Sequence, residues 1–268
     1  MEPIELTRLE AEKDGVLQLM PGRFNKLLVQ KENGRIMLIF MGGNNREVQG
    51  GMDPADPDFP CHPYVRAMLL PMAFQNPPER VFILGLGAGV LQKALARWFP
   101  EVFIATAEID ENVAELARTC FCYVPSERQR LFLMDGRECL VERPERFDLI
   151  VMDAFIGSGS LPERLTDRDF FALCADRLLP GGVLSLNILH CDKRSAAIKK
   201  ALADAFGHSL SLTLRDQTIL FASAAPLPDR KELSRRAKAL ETERDLPFPL
   251  AKLLTRGAKR CRPITKSP

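Results

Sequence analysis

The chain has 268 residues, is 46% hydrophobic and carries 37 Lys/Arg against 35 Asp/Glu. That balance suits one medium α/β domain with a smaller appendage, and no apolar run is long enough to span a membrane. The acidic opening MEPIELTRLEAEKDG lacks the apolar core of a signal peptide, so a cytoplasmic location without membrane contact is expected.

Residues 17–49 read as short strands. Within them LLVQKENGRIMLIF places two apolar runs around a turn at Glu32–Gly34, a hairpin signal. The Pro/Asp/Gly-rich stretch Gly50–Pro60 is a linker, and a helix is expected from Pro63 to about Phe74. Asn76-Pro77-Pro78 marks the boundary to a central domain, so residues 1–75, 76–225 and 226–268 form three regions. In the central region, strands are expected near 81–85, 103–108, 131–134, 147–153 and 183–188. Helices are expected near 89–98, 111–119, 167–178 and 192–206. This alternation predicts a parallel sheet with helices on both faces. Two closely spaced runs near 209–214 and 218–223 require an antiparallel hairpin at its edge. The result is an α/β, Rossmann-like class I methyltransferase fold, with a mostly parallel seven-stranded sheet ending in an antiparallel hairpin and a small N-terminal β-hairpin region.

The last region is basic, with twelve Lys/Arg against five Asp/Glu from Pro226 onward. No aromatics interleave these charges as a stacking surface for nucleic acid requires. A helix over residues 231–244 is expected instead, packed through Leu233, Ala237 and Leu240 at helical spacing. The seven cysteines form no CxxC pair, and His62, His190 and His208 fall at no zinc-like spacing, so reduced thiols and no metal site are expected.

The segment VFILGLGAGVLQKALARWFPEVFIATAEID, Val81–Asp110, carries the strongest chemical signal. An apolar strand ends in a loop with Gly85, Gly87 and Gly89, a helix follows, and a second strand closes on Glu108, 23 residues after the first glycine. Glycines let the backbone approach a nucleoside, and an acid at that distance accepts hydrogen bonds from ribose hydroxyls. A dinucleotide fingerprint places a third glycine or alanine where this chain has Val90, and no Gly-Lys-Ser/Thr phosphate loop occurs, so the ligand has no pyrophosphate to cradle. Asp135-Gly136 follows the third central strand and Asp153 ends the fourth. Glu108 would hold the ribose diol, and Asp135 the adenine amino group, with Gly136 leaving room for the base.

With these motifs the chain resembles the spermidine/spermine synthase (aminopropyltransferase) family over roughly residues 20–225. GRFNKLLV, GRIMLIF and Gln49 are similar to the family's N-terminal hairpin region, and PYVRAMLLPM to its Tyr-containing helix. ILGLGAG, AEID, MDG and DLIVMDAF follow in family order. The resemblance implies S-adenosylmethionine or its decarboxylated form as cofactor, with methylthioadenosine or S-adenosylhomocysteine as product. It implies Gln49 among the cofactor residues, Tyr64 at the wall of an acceptor pocket, Asp153 as base or orienter, and a homodimer. The departures are equally specific. The glycine loop of the family ends in an acid where this chain has Ala88. The family's Tyr-Gln pair is Tyr64-Val65, and its Arg-Tyr-Gln is Arg23-Phe24-Asn25. The second acid after the fourth strand is replaced within Asp153-Ala154-Phe155-Ile156-Gly157. Burying a polycation requires paired carboxylates, so the loss of acids at Ala88 and Ile156 predicts a weakened polyamine site. Ordinary putrescine turnover would overturn this expectation and point to other acids, Asp167 or Glu163, as the cation site. The loop Ile156–Thr166 resembles the family's divergent bacterial branch. The expected function is a spermidine synthase-like transferase with a small-molecule acceptor, an amine outside the standard diamines or another nucleophile. The alternatives are a SAM-dependent methyltransferase and a non-catalytic nucleoside-binding scaffold.

Overall fold

Left-handed backbone at Asn33 and Gly34 makes the first turn, with φ of 51° and 75°. These are the two central positions of the hairpin turn that matches strand twist. In the computed structural model, which describes residues 6–42, 45–74, 77–156, 159–255 and 261–263, Glu32 pairs with Arg35 across that turn. The first helix, α1 (Leu6–Ala11), precedes a four-stranded antiparallel sheet of β1 (Gly15–Pro21), β2 (Lys26–Glu32), β3 (Arg35–Gly42) and β4 (Asn45–Met52), in that order. Lys31 reaches back from β2 and donates to the carbonyls of Leu9, Glu10 and Glu12 at 2.7–2.8 Å. A cation there satisfies the acceptors at the end of α1.

The linker leads into α2 (Pro63–Met68), which is shorter than its sequence suggests. A 3-10 turn over Leu70–Ala73 replaces its second half. Pro71 has no N–H to offer Ala67, so the α-helical ladder cannot continue through it. The boundary residue Asn76 lies outside the described residues.

The central region alternates as β5 (Arg80–Leu84), α3 (Val90–Trp98), β6 (Phe103–Glu108), α4 (Glu111–Cys120), β7 (Gln129–Leu133), α5 (Gly136–Glu142), β8 (Phe147–Met152), α6 (Arg168–Arg177), β9 (Leu178–Leu189) and α7 (Ser195–Ala205). It closes with β10 (His208–Thr213) and β11 (Gln217–Ser223). Neighbouring strands run β10-β11-β9-β8-β5-β6-β7. The five strands from β9 to β7 are parallel, and β11 and β10 run antiparallel to their neighbours. This is the expected seven-stranded sheet, extended at the β10 edge by β12 (Cys261–Pro263). The sequence gives no warning of α5, because seven residues are too few to show a helical period.

The C-terminal segment packs against α2 and the 3-10 turn that follows it. It forms α8 (Arg230–Glu243) and α9 (Leu250–Thr255). Leu233 and Ala237 of α8 are fully buried and Leu240 nearly so, in one cluster with Trp98, Phe248 and Leu254. Burying such leucines is worth about 1.5–3 kcal/mol each. The charges of α8 are partly paired along the helix surface, with Glu232 accepting from Arg235 and Arg236.

Candidate nucleoside and acceptor site

The strand order reverses at β5, between β8 and β6, so the loops beyond their carboxyl ends diverge and leave a crevice. A cavity of about 770 Å³ opens there, roofed by β4 and the Gly22–Asn25 turn. Gln49, Tyr64, Gly85, Gly87, Glu108, Asp135, Gly136 and Asp153 all line it.

The three loop glycines differ in what requires them. Gly85, at φ 96°, has the carbonyl oxygen of Asp153 only 2.5 Å from where a Cβ would sit, so β5 and β8 close together only with glycine there. At Gly87, φ 54°, the same position faces the cavity, with Gln49 O at 3.7 Å as its neighbour. Gly89 falls outside the cavity wall. Its Cβ position abuts the Tyr123 ring at 3.0 Å, so this glycine, expected at the cofactor, serves packing at the start of α3. The Cβ position of Gly136 is likewise blocked, 2.6 Å from Leu84, so its small size fits α5 against β5.

Glu108 is nearly buried. One carboxylate oxygen accepts from Leu86 N and the other from Asp110 N, both at 2.9 Å. Burial pushes its pKa up, and those backbone bonds oppose the shift. Each oxygen keeps a second lone pair for a ligand hydroxyl. Asp110, which sequence reasoning passed over, caps α4 through Asn112 N and accepts from Arg23 N. Asn112 also donates to Pro21 O at 2.9 Å. These bonds tie the N-terminal sheet over the Glu108 end of the cavity. Asp135 caps α5, accepting from Arg137 N at 2.9 Å, and has Arg164 at 3.4 Å.

At the other end, Asp153 accepts from Asn187 Nδ2 at 3.0 Å. Desolvation raises its pKa to about 6, against the lowering effect of that bond. Asn187, on β9, is 1% exposed, and its Oδ1 has no hydrogen-bond partner among the described residues. It is a second residue that sequence reasoning missed. An asparagine inside a buried strand gives no signal until its partner is known. Tyr64 donates to Gln49 O at 3.2 Å. Burial first, and the Asp153 charge second, hold its phenol protonated. His62, beside it with ring centroids 6.0 Å apart, is pushed toward the neutral form by burial and by Arg35 and Arg66.

The two acids that ordinary putrescine turnover would implicate stand apart from this group. Asp167 caps α6 and pairs with Arg137. Glu163 reaches the cavity rim, with its side chain 90% exposed and Arg194 at 3.8 Å. Ala88 is buried, 3.1 Å from the Cβ position of Gly50. Ile156 lines the cavity and bridges to Ser160, and Gly157 lies outside the described residues.

The sheet order, the left-handed glycine loop and the antiparallel edge define a class I methyltransferase-like α/β protein. Residues 64–210, more than half of the chain, match the spermine/spermidine synthase domain, and the chain belongs to that family. It is 30% identical over 184 residues to a polyamine aminopropyltransferase of Vibrio vulnificus, covering 66% of this chain and 61% of that protein. A probable spermidine synthase from Corynebacterium glutamicum superposes with a TM-score of 0.72 at 20% identity, over 92% of this chain and 89% of the other. Human methyltransferase-like protein 13, solved in complex with SAH, superposes with a TM-score of 0.64 at 25% identity, over 70% and 95%.

Proposed function

We propose that this protein transfers the aminopropyl group of decarboxylated S-adenosylmethionine to an amine acceptor outside the standard diamines. The carrying observation is the charge of the cavity. Glu47, Glu108, Asp110, Asp135, Asp153, Glu163 and Asp216 line it against Arg23 and Arg164. Such a wall attracts a donor whose tail ends in an ammonium and disfavours one ending in a carboxylate. The fit to the nucleoside rests on the buried Glu108 carboxylate and on the open face of Gly87.

A sulfonium nucleoside supplies an electrophilic carbon beside its positive sulfur. The chain's part is alignment, water exclusion and proton removal. The amine nitrogen bonds to that carbon, the carbon–sulfur pair leaves with sulfur, and the excess N–H proton passes to the Asp153 carboxylate. Asn187 fixes the orientation of that carboxylate. A pKa of about 6 leaves Asp153 ionised at neutral pH, yet basic enough to hold a proton briefly. Tyr64 and neutral His62 form the acceptor-side wall without adding positive charge. Homodimer formation is part of the same reading, and sedimentation measures it.

Methyl transfer is the second reading, favoured by the likeness to methyltransferase-like protein 13 and by Ala88 at the end of the glycine loop. Calorimetry with methylthioadenosine and SAH, followed by mass spectrometry of an amine panel incubated with each donor, tests both. Tighter binding of methylthioadenosine, with aminopropylated product, supports the proposal. SAH preference with methylated product supports the second reading. Nucleoside binding without any product leaves a scaffold.

A further inference from the structure

A cation stands beside the acid at the end of β7. Arg164 lines the cavity with Pro162 and Leu165 of its own loop and with Asp135. The two oxygens of Asp135 have different duties. Oδ1 caps α5, accepting from Arg137 N at 2.9 Å and from Glu138 N at 3.3 Å. Oδ2 lies 3.4 Å from Arg164 Nη1, a loose ion pair rather than a tight hydrogen bond. Nη2 of the same guanidinium is 3.3 Å from Glu138 Oε1. The Arg164 side chain is half-exposed, so its pair with Asp135 is worth little by itself and yields readily to a ligand. The backbone beneath it is held more firmly. Arg164 O accepts from Arg137 Nη1 at 2.8 Å, and that nitrogen also pairs with Asp167 at 2.9 Å. Arg164 thus presents a loosely held guanidinium, with five N–H donors, from an anchored loop.

We propose that Arg164 reads N7 of a purine base whose 6-amino group is held by Asp135, so that the two side chains together select a 6-aminopurine nucleoside. This rests on the nucleoside reading above and deepens it. A carboxylate alone accepts from any N–H donor. A carboxylate beside a guanidinium demands a donor next to an acceptor, and the amino group and N7 of adenine form such a pair. Of the two ring nitrogens flanking the amino group, N7 is the farther from it, which suits the 3.4 Å between Oδ2 and Nη1. A 6-oxopurine turns its carbonyl oxygen toward the carboxylate and loses the match. The planar fork of arginine directs its donors, where lysine supplies a point charge.

Calorimetry on the full chain compares three ligands: methylthioadenosine, its 7-deaza analogue, in which C–H replaces N7, and methylthioinosine. The native protein is expected to bind methylthioadenosine about ten-fold or more tightly than the 7-deaza analogue, as loss of a charge-assisted hydrogen bond requires. Arg164→Ala should bind those two alike, and Arg164→Lys should recover part of the difference. The preference over methylthioinosine should survive in Arg164→Ala, because it belongs to Asp135. The inference is overturned if the native protein binds methylthioadenosine and the 7-deaza analogue alike, or if Arg164→Ala keeps the difference. Loss of the preference over methylthioinosine in Arg164→Ala also overturns it, since Arg164 would then act only by orienting Asp135. Failure of methylthioadenosine itself to bind the native chain would instead remove the nucleoside reading beneath, so the two failures are distinguishable. Circular dichroism of each variant guards against a fold defect.

Discussion

Replacing Asp153 with asparagine should make the protein more stable and less active at the same time. The carboxyl is held by Asn187 but otherwise desolvated, and its pKa stands at about 6 against an ordinary 3.8. A folded-state pKa above the unfolded one means that ionisation favours unfolding. The acid therefore contributes fully to stability below pH 3.8, and that contribution is lost as pH rises through 6. The difference of about two pKa units corresponds to on the order of 3 kcal/mol of cost at pH 7.5. Asparagine carries no charge, still accepts from Asn187 Nδ2, and can donate to Asn187 Oδ1, which has no partner among the described residues. For a chain of this length the unfolding entropy is about 0.56 kcal/mol/K, so Asp153→Asn should raise Tm by roughly 5 °C at pH 7.5. The gain should fade between pH 6 and 4. Transfer should meanwhile drop by about 10²–10⁴-fold, the usual worth of a positioned base. Calorimetric melts of both proteins from pH 4 to 8 measure the first effect, and single-turnover assays the second. An unchanged Tm at neutral pH, or a gain that persists at pH 4, would refute desolvation as the origin of the shift. Undiminished transfer would remove Asp153 from the chemistry.

Three further outcomes follow from the same geometry. Glu108→Ala should weaken methylthioadenosine binding by about 100-fold or more in calorimetry, since it loses two charge-assisted ribose bonds of roughly 1.5–3 kcal/mol each; unchanged affinity would sink the nucleoside assignment. Gly85→Ala should destabilise by several kcal/mol, because its Cβ meets the Asp153 carbonyl at 2.5 Å. Gly87→Ala, with open space beside it, should cost about 1–2 kcal/mol for the left-handed backbone while reducing nucleoside affinity, and equal melting curves for the two variants would contradict this division of labour. Truncation before Pro226 should lower Tm, because it uncovers the core that Leu233, Ala237 and Leu240 complete. Unchanged stability with loss of salt-sensitive RNA or DNA binding would make the segment a binding arm.

The sequence by itself determined the order of the central strands and of the central helices other than α5, the glycine loop and the acids at the strand ends. These signals are local. Apolar runs and a left-handed Asn-Gly turn act within a few residues of themselves, so their spacing is readable along the chain. The stop in α2 at Pro71 was equally local, and the helical run around it masked it. Only the tertiary structure decided which glycine of the loop faces the cavity and which packs on a neighbour. Gly87 faces the cavity, whereas Gly89 abuts Tyr123, and one GxGxG spacing covers both. The acidic wall was decided there as well. Glu47 reads as an unremarkable strand residue, and it becomes a cavity carboxylate only because β4 lies over the strand ends of the central sheet. Asn187 gains its meaning in the same way, from a single bond to Asp153 across adjacent parallel strands. Burial and desolvation depend on what arrives from elsewhere in the chain, so the charges they perturb become visible only once the chain has folded.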